Sequence, residues 1–204
     1  MKTLILNNMI SKLLIIFFAN TFLFASGGYD HGKSAGKGLL DISFTLNPFN
    51  YFKYGQTYII LGYGLTNRID FQFYYSYSHK GKDNYYVGLL YQFYKKNNLN
   101  LSTAIGLRKY ISSSNNITHL FSPQLLYNYK FSNKLAIGGS FVNLINYKNI
   151  NKKLGITKDI FIIFNIHENK KYKIDFTIGA FNPILWEPNS GQWYPTYSFD
   201  IKIK

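Results

Sequence analysis

The most constraining feature of this chain is the strict alternation of side chains between residues 67 and 78. One face of this segment is apolar or aromatic: Ile69, Phe71, Phe73, Tyr75 and Tyr77. The other face is mainly polar: Arg68, Asp70, Gln72, Tyr74, Ser76 and Ser78. Because a β-strand directs successive side chains to opposite faces, this period of two predicts a strand with one apolar and one polar face.

About ten such segments follow one another, and no convincing helix lies between them. We predict strands at 38–47, 56–64, 67–78, 84–94, 99–110, 118–130, 134–146, 157–167, 171–181 and 195–204. Short polar turns alternate with longer links: the turns fall at 65–66, 95–98, 131–133 and 168–170, and the links at 48–55, 79–83, 111–117, 147–156 and 182–194. This alternation predicts an all-β fold, a single antiparallel up-and-down β-barrel of about ten strands, with eight to twelve possible. An even number of strands places both ends of the barrel on the short-turn side.

The start of the chain reads as a secretory signal. Lys2 and Lys12 flank a positive region, an apolar stretch runs to Phe24, and small residues follow at 25–27. This pattern predicts a signal peptide at 1–27, with a transmembrane anchor as the alternative. Residues 28–37 are then expected to form a flexible, Gly/Lys-rich periplasmic lead-in to one barrel domain at 38–204. The chain has no cysteine, which excludes a lipoprotein anchor, disulfides and thiolate metal sites.

Two features favour a barrel that spans a membrane over a soluble, lipocalin-like carrier with an apolar interior. The polar face carries many small residues, which suit a cramped lumen better than a solvated surface: Ser43, Gly62, Gly64, Ser76, Gly88, Ser102, Ala104, Gly106, Gly138, Ser140 and Gly179. The apolar face is aromatic near strand ends, as in an interfacial girdle: Tyr63, Tyr77, Tyr85, Phe93, Tyr127, Tyr129, Tyr172 and Tyr197. Tyr and Phe raise the aromatic content of the chain to 19%.

Residues 38–204 resemble the broad class of small Gram-negative outer-membrane β-barrel proteins. The segment 196–204 is similar to the C-terminal signal that the barrel assembly machinery reads, and its alternating apolar positions are Tyr197, Phe199, Ile201 and Ile203. Such proteins usually end in an aromatic residue, whereas Lys204 follows Ile203 here. Residues 63–70 resemble a hairpin found in various outer-membrane transporters. The resemblance implies an outer-membrane location and contact with lipid and with the assembly machinery.

The polar face places several charges inside the predicted barrel. They are Asp41, Arg68, Asp70, Arg108, Lys130, Lys173, Asp175, Asp200 and Lys202. These charges either line a pore or solute site, or form salt bridges that fill the interior. Ten strands leave little free lumen, which favours the second interpretation. Several large residues share the inner face, as packed filler or as a hydrophobic ligand pocket: Tyr58, Ile60, Tyr74, Tyr86, Leu90, Tyr94, Leu126, Phe161 and Ile163.

The chain is basic, with a formal net charge of +14. We place Lys80, Lys82, Lys148, Lys152 and Lys153 in outer loops. There they could bridge lipopolysaccharide phosphates, attract anionic solutes or simply be solvated. The loop 182–193 holds Trp186 and Trp193, which form either a receptor or lid surface or an interface anchor. No nucleic-acid motif is present, so a nucleic-acid partner is not expected.

Catalysis has little support. His79 and His119 lie near predicted outer loops with serines close by, but neither pairing belongs to a recognisable motif. We therefore predict no catalytic residues, no metal site and no cofactor, with a hydrolase at the rim as a minor alternative. The leading hypothesis is a structural barrel or a slow channel for small solutes. The competing hypotheses are a closed barrel for surface binding or adhesion, and the soluble carrier.

Overall fold

A computed structural model describes residues 32–46, 56–78, 84–111, 117–146, 149–182 and 193–204. The predicted signal peptide and residues 28–31 lie outside these ranges. The strands are β1 (Leu40–Leu46), β2 (Gln56–Gly64), β3 (Ile69–Ser78), β4 (Asn84–Lys96), β5 (Leu99–Ile111), β6 (Ile117–Phe121), β7 (Gln124–Lys130), β8 (Leu135–Asn146), β9 (Asn149–Glu168), β10 (Tyr172–Asn182) and β11 (Tyr194–Ile203). Among the described residues, no helix has the length and hydropathy needed to cross a membrane.

Every strand pairs antiparallel with its neighbours, and β1 closes the sheet by pairing with β11 as well as with β2. Strands β6 and β7 both pair with β5 and β8, so together they take the place of one barrel strand. Each such position around the barrel, filled by one strand or by this pair, is called a stave here. The stave is interrupted at Ser122 and Pro123, since proline has no N–H to donate to the ladder. The closed barrel therefore has ten staves, which confirms the sequence prediction.

The short turns lie on one rim and are fixed by side-chain oxygens. Thr66 Oγ1 accepts hydrogen bonds from the N–H groups of Arg68 and Ile69, and Asn169 Oδ1 caps the turn between β9 and β10 in the same way. Asn97 adopts a left-handed backbone with φ of 51° between β4 and β5, a conformation that asparagine tolerates well. Leu40 pairs with Ile203 at this rim, so both ends of the barrel lie on the short-turn side as predicted.

The prediction of a long loop at 147–156 was wrong, because β9 already begins at Asn149. Asn149 pairs with Asn146 of β8, and two register shifts follow between residues 144 and 146. Lys152 and Lys153 therefore lie on a strand rather than in a loop. The reason is that backbone hydrogen bonds extend this hairpin through a polar stretch that lacks the apolar alternation of the other strands.

The outward face of the barrel is apolar. Large exposed side chains lie on successive staves, among them Phe44, Ile59, Phe71, Leu89, Ile105, Leu125, Phe141, Ile162 and Phe199. Five of the predicted girdle residues are exposed: Tyr63, Tyr85, Phe93, Tyr129 and Tyr172. Tyr127 and Tyr197 are half-buried, and the side chain of Tyr77 lies outside the described set. Such an apolar exterior is the lipid-facing surface of a membrane barrel.

One inward residue was assigned to the wrong face. Tyr94 is 39% exposed instead of buried in the lumen. A register shift between Tyr91 and Tyr94 in the β4–β5 ladder reverses the alternation at the end of β4. The alternation in the sequence carries no mark of such a bulge.

The small residues of the inner face make room for aromatic rings. A Cβ on Gly88 would lie 2.1 Å from the Tyr86 hydroxyl, and one on Gly106 would lie 2.6 Å from the same ring. Phe161 covers Gly138 in the same manner, with its ring 2.5 Å from a Cβ placed there. The prediction of a cramped lumen is confirmed, and rings that lie against glycine backbone are its cause.

The apolar exterior gives a depth-dependent prediction. Leu89 is 47% exposed in the middle of β4, and Leu65 is 46% exposed in the turn after β2. Leu89→Arg should lower the free energy of unfolding in lipid vesicles by about 2–4 kcal/mol, and Leu65→Arg by about 0–1 kcal/mol. Urea titration of the refolded protein measures both. Equal losses would contradict a bilayer centred on Leu89.

Candidate functional site

The chain enters the barrel before its first strand. Residues 32–39, named here the N-terminal crossbar, run from the start of β1 into the lumen on the short-turn side. Asp70 of β3, which is 1% exposed, holds this segment with both carboxylate oxygens. Ser34 Oγ donates a hydrogen bond of 2.6 Å to one oxygen, and the Ala35 N–H donates one of 2.7 Å to the other. Of the lead-in expected at 28–37, residues 32–37 thus belong to a segment that is hydrogen-bonded to the barrel, and residues 28–31 lie outside the described ranges.

Further contacts carry the crossbar across the mouth of the barrel. Gly64 of β2 lies against the crossbar so closely that a Cβ there would be 1.8 Å from the Gly36 carbonyl oxygen. At the far end, Ser102 Oγ of β5 donates a hydrogen bond of 2.8 Å to the Gly32 carbonyl. A Cβ on Gly32 would lie 2.9 Å from the backbone of Tyr127 in β7. The crossbar therefore reaches from β2 to β7 and covers one side of the mouth.

The other side of the mouth is a cavity of about 610 Å³, named here the vestibule. It is lined by the crossbar and by the short-turn half of the wall. Seven lysines line it, the vestibule lysines: Lys33, Lys95, Lys130, Lys134, Lys173, Lys202 and Lys204. Four side-chain carboxylates, the vestibule carboxylates, accompany them: Asp41, Glu168, Asp175 and Asp200. The vestibule therefore carries an excess of positive charge.

Three of the vestibule carboxylates pair with lysines. Lys173 forms an ion pair with Asp175. Lys202 Nζ lies 3.4 Å from Asp41 Oδ2, and Lys204 Nζ lies 2.6 Å from Glu168 Oε1. Within the described ranges, the other four vestibule lysines (Lys33, Lys95, Lys130 and Lys134) have no ion pair.

The fourth carboxylate, Asp200, is 4% exposed and is held by hydroxyl groups. Ser43 donates to one of its oxygens, and Thr177 Oγ1 donates to the other at 2.8 Å. These hydrogen bonds join β1, β10 and β11 at the seam where the barrel closes. Asp200 is therefore a structural carboxylate of the seam rather than a free acid in the vestibule.

Lys33 has the most perturbed ammonium group of the crossbar. Its side chain is exposed to the vestibule, and the barrel wall surrounds that space. Loss of solvation lowers the pKa of Lys33 from 10.5 to about 8, and repulsion from Lys202 and Lys173 adds to the shift. Lys95 repels it more weakly, and Asp41 acts in the opposite direction. The crossbar therefore holds a cation where positive charge is already in excess.

Above the vestibule the lumen is closed by side chains. Each stave contributes an inward residue that is at most 7% exposed. These residues form the closure layer: Thr45, Ile60, Tyr74, Tyr86, Ala104, Leu126, Ser140, Phe161, Thr177 and Ser198. Arg108 also reaches this region, with its guanidinium carbon 5.4 Å from the centre of the Tyr74 ring. The lumen of this structure is therefore not a continuous aqueous channel.

The two sides of the lumen differ in chemistry. Strands β2 to β5 and β7 supply large apolar or aromatic side chains, in two contact clusters: Ile60 with Tyr74 and Tyr86, and Leu90 with Ala104 and Leu126. Strands β1, β10 and β11 supply small hydroxyl side chains, named here the hydroxyl wall: Ser43, Thr45, Thr177, Thr196 and Ser198. Hydroxyl groups therefore line the seam side of the lumen, whereas the opposite side mixes the two apolar clusters with buried polar side chains such as Gln72, Gln92 and Gln124.

The structure brings most of the predicted inward charges together. Six of them line the vestibule: Asp41, Lys130, Lys173, Asp175, Asp200 and Lys202. Asp70 and Arg108 are buried elsewhere inside the barrel. The prediction for Arg68 was wrong, because β3 begins at Ile69 and Arg68 is exposed in the preceding turn.

The outer-loop residues are only partly described. Lys80, Lys82, Lys148 and Trp186 lie outside the described residues. Trp193 is 50% exposed immediately before β11.

The sequence analysis missed Lys33 and the crossbar, since a short Gly/Ser/Lys segment has neither helical nor strand periodicity. It also missed the contribution of Lys95 to the vestibule, although it placed this residue on the correct rim.

No protein-family model matches the chain, and no curated protein matches it. Among solved structures, the chain is similar to the KdgM porin in complex with disordered oligogalacturonate, at 11% identity and a TM-score of 0.48, over 81% of this chain and 98% of that one. It is also similar to the NanC porin, at 9% identity and a TM-score of 0.43, over 81% and 99% of the two chains. Likeness at this level assigns no substrate to this chain. The closed barrel with its apolar exterior is itself the architecture of an outer-membrane β-barrel protein.

Docking of the crossbar can be tested by labelling an introduced cysteine. The sequence contains no native cysteine, so the introduced thiol is the only one that reacts. Ala35 is 5% exposed, so Ala35→Cys should react slowly with a water-soluble thiol reagent. Adding Asp70→Ala removes the acceptor of the hydrogen bonds from Ser34 and Ala35 and should raise the labelling rate several-fold. Adding Asp175→Ala, which removes a carboxylate that the crossbar does not use, should leave the rate low. Lys37→Cys is exposed and should react quickly in every background. Fast labelling of Ala35→Cys without Asp70→Ala would contradict a docked crossbar.

Proposed function

We propose that this protein is an outer-membrane channel of low conductance for small polar solutes. The observation that carries the proposal is the polar vestibule of about 610 Å³ on the short-turn side of the barrel. A cavity of this size admits a small solute, and side chains rather than backbone block its way onward. A ten-stranded barrel is too narrow for a wide aqueous pore, so passage is slow and depends on side-chain movement.

Buried polar groups on several staves offer hydrogen bonds to such a solute. Near the closure layer, Ser122 Oγ, Gln124 Nε2 and Thr196 Oγ1 are buried and have no hydrogen-bond partner among the described residues. An unsatisfied buried polar group costs about 1–3 kcal/mol. A solute or water molecule that enters this region gains those hydrogen bonds, which offsets part of the cost of moving Tyr86 or Tyr74.

A second candidate function is a permanently closed barrel that stabilises the membrane or binds a surface partner. The specific observation in its favour is the low exposure of the closure layer, at most 7% on every stave. The two candidates differ in one measurable property. A closed barrel carries no ion current in a planar bilayer, and a slow channel carries a small one.

The partners that we propose follow from the outward face. Lipid covers the apolar exterior, and the basic outer loops meet lipopolysaccharide phosphates. The C-terminal strand β11 serves as the assembly signal through four residues: Tyr197, Phe199, Ile201 and Ile203. Phe199 and Ile203 are 44% and 45% exposed on the lipid side, which suits recognition before insertion. We propose no catalytic role and no cofactor.

Truncation of the ring that closes the lumen should raise the conductance. Tyr86 is 3% exposed and covers Gly88 and Gly106. Tyr86→Ala therefore removes a ring from the lumen and leaves the strands of the barrel in place. Single-channel recording in planar bilayers should give a small current for the wild type and a several-fold larger one for Tyr86→Ala. Tyr85→Ala is the matched control, because Tyr85 is 40% exposed on the outer face. Its conductance should equal that of the wild type. No current from either the wild type or Tyr86→Ala would favour the permanently closed barrel.

A further inference from the structure

The vestibule is built from two separate parts of the chain. The wall supplies six of the seven vestibule lysines, and the crossbar supplies Lys33. Lys33 follows Gly32, which is anchored on Ser102, and precedes Ser34, which is anchored on Asp70. These two anchors fix the backbone on both sides of Lys33 and hold its ammonium group in the vestibule. Lys33 is therefore part of the site only while the crossbar is docked.

The charges of the vestibule are not balanced internally. Three ion pairs and the seam carboxylate use all four vestibule carboxylates. Lys33, Lys95, Lys130 and Lys134 remain as cations around one cavity, on the crossbar, β4, β7 and the turn after β7. A protein that only needed to fill its lumen would gain nothing from this arrangement, since like charges repel. An anion that bridges several ammonium groups would remove that repulsion.

We infer that the vestibule is a binding site for a small multivalent oxyanion, such as a di- or tricarboxylate, and that docking of the crossbar completes it. The anion accepts hydrogen bonds from Lys33 and from the unpaired wall lysines. By linkage, whatever binds the docked form more tightly also stabilises the crossbar in place. This inference rests on the proposed function in that it names the class of solute that the channel would hold. Binding itself can be measured without conductance.

Binding should depend on pH through Lys33. Loss of solvation lowers the pKa of Lys33 most, Lys202, Lys173 and Lys95 lower it further, and Asp41 raises it, which leaves the pKa at about 8. Lys33 is therefore mostly protonated below pH 8 and loses its charge as the pH rises through that value. An anion prefers the protonated form, so affinity should fall between pH 7 and pH 9. Citrate is a suitable probe, because its own negative charge does not decrease across this range and a loss of affinity therefore reports on the protein.

The test is isothermal titration of citrate into the refolded mature protein in detergent, at fixed ionic strength. The wild type should bind citrate, and Lys33→Gln should bind about tenfold more weakly, as expected for one lost charge-assisted hydrogen bond. Lys37→Gln is the matched control, since Lys37 lies on the same segment but is exposed and does not line the vestibule. It should bind as the wild type does. Equal affinities of Lys33→Gln and Lys37→Gln, or no binding by the wild type, would overturn the inference.

A double-mutant comparison tests the role of the crossbar. Asp70→Ala should weaken citrate binding to about the same extent as Lys33→Gln, because it releases the segment that carries Lys33. The double variant should bind no more weakly than either single variant. Additive losses would mean that docking does not deliver Lys33 to the site.

The loss of affinity from pH 7 to pH 9 should be present in the wild type and nearly absent in Lys33→Gln. Citrate binding in detergent without current in a bilayer would support the site while rejecting the channel, so the two proposals can fail separately.

Discussion

The structure depends on one constraint, the need to pair every backbone N–H and C=O group within a hydrocarbon environment. An antiparallel sheet satisfies this need only if its two edge strands meet, and here β1 pairs with β11 over its whole length, from Leu40–Ile203 to Leu46–Tyr197. Asp200 reinforces the seam because its carboxylate accepts hydrogen bonds from Ser43 and Thr177 on the two adjacent strands. Closure at ten staves then fixes a narrow lumen, and the remaining features follow from what that lumen can hold.

Side chains fill the narrow lumen, and their size differs from one side of the barrel to the other. Glycines at 88, 106 and 138 let the rings of Tyr86 and Phe161 lie against the wall, so the middle of the barrel is closed by large side chains. The strands at the seam carry small hydroxyl residues instead, such as Thr45, Thr177 and Ser198. Toward the short-turn rim the same barrel holds the crossbar and the vestibule, where cations outnumber carboxylates. The lipid-facing surface, the buried centre of the lumen and the vestibule thus lie on different faces or at different depths of the barrel.

The sequence predicts the repeating features of this fold well and the singular ones poorly. Alternation is a periodic signal, so the strands, the side that faces lipid and most inward charges could be assigned from residues such as Phe71 and Asp70. A bulge breaks the period without any mark in composition, which is why Tyr94 was assigned to the wrong face. The polar hairpin at Asn149 is held by backbone hydrogen bonds, which side chains do not signal. The crossbar depends on single long-range contacts, such as that between Ser34 and Asp70, which no local pattern reveals.

The most direct test of this account is the accessibility of single spin labels along β4 in lipid vesicles. Labels at Val87, Leu89 and Tyr91 should collide with oxygen dissolved in the bilayer, since these residues are 39%, 47% and 45% exposed on the outer face. A label at Leu90, which is 0% exposed, should be shielded from both oxygen and a water-soluble nickel quencher. Quenching by nickel at Leu90 alone would contradict a closed lumen. Quenching by nickel at the three outer positions would contradict the membrane barrel itself and leave a soluble carrier with an apolar interior.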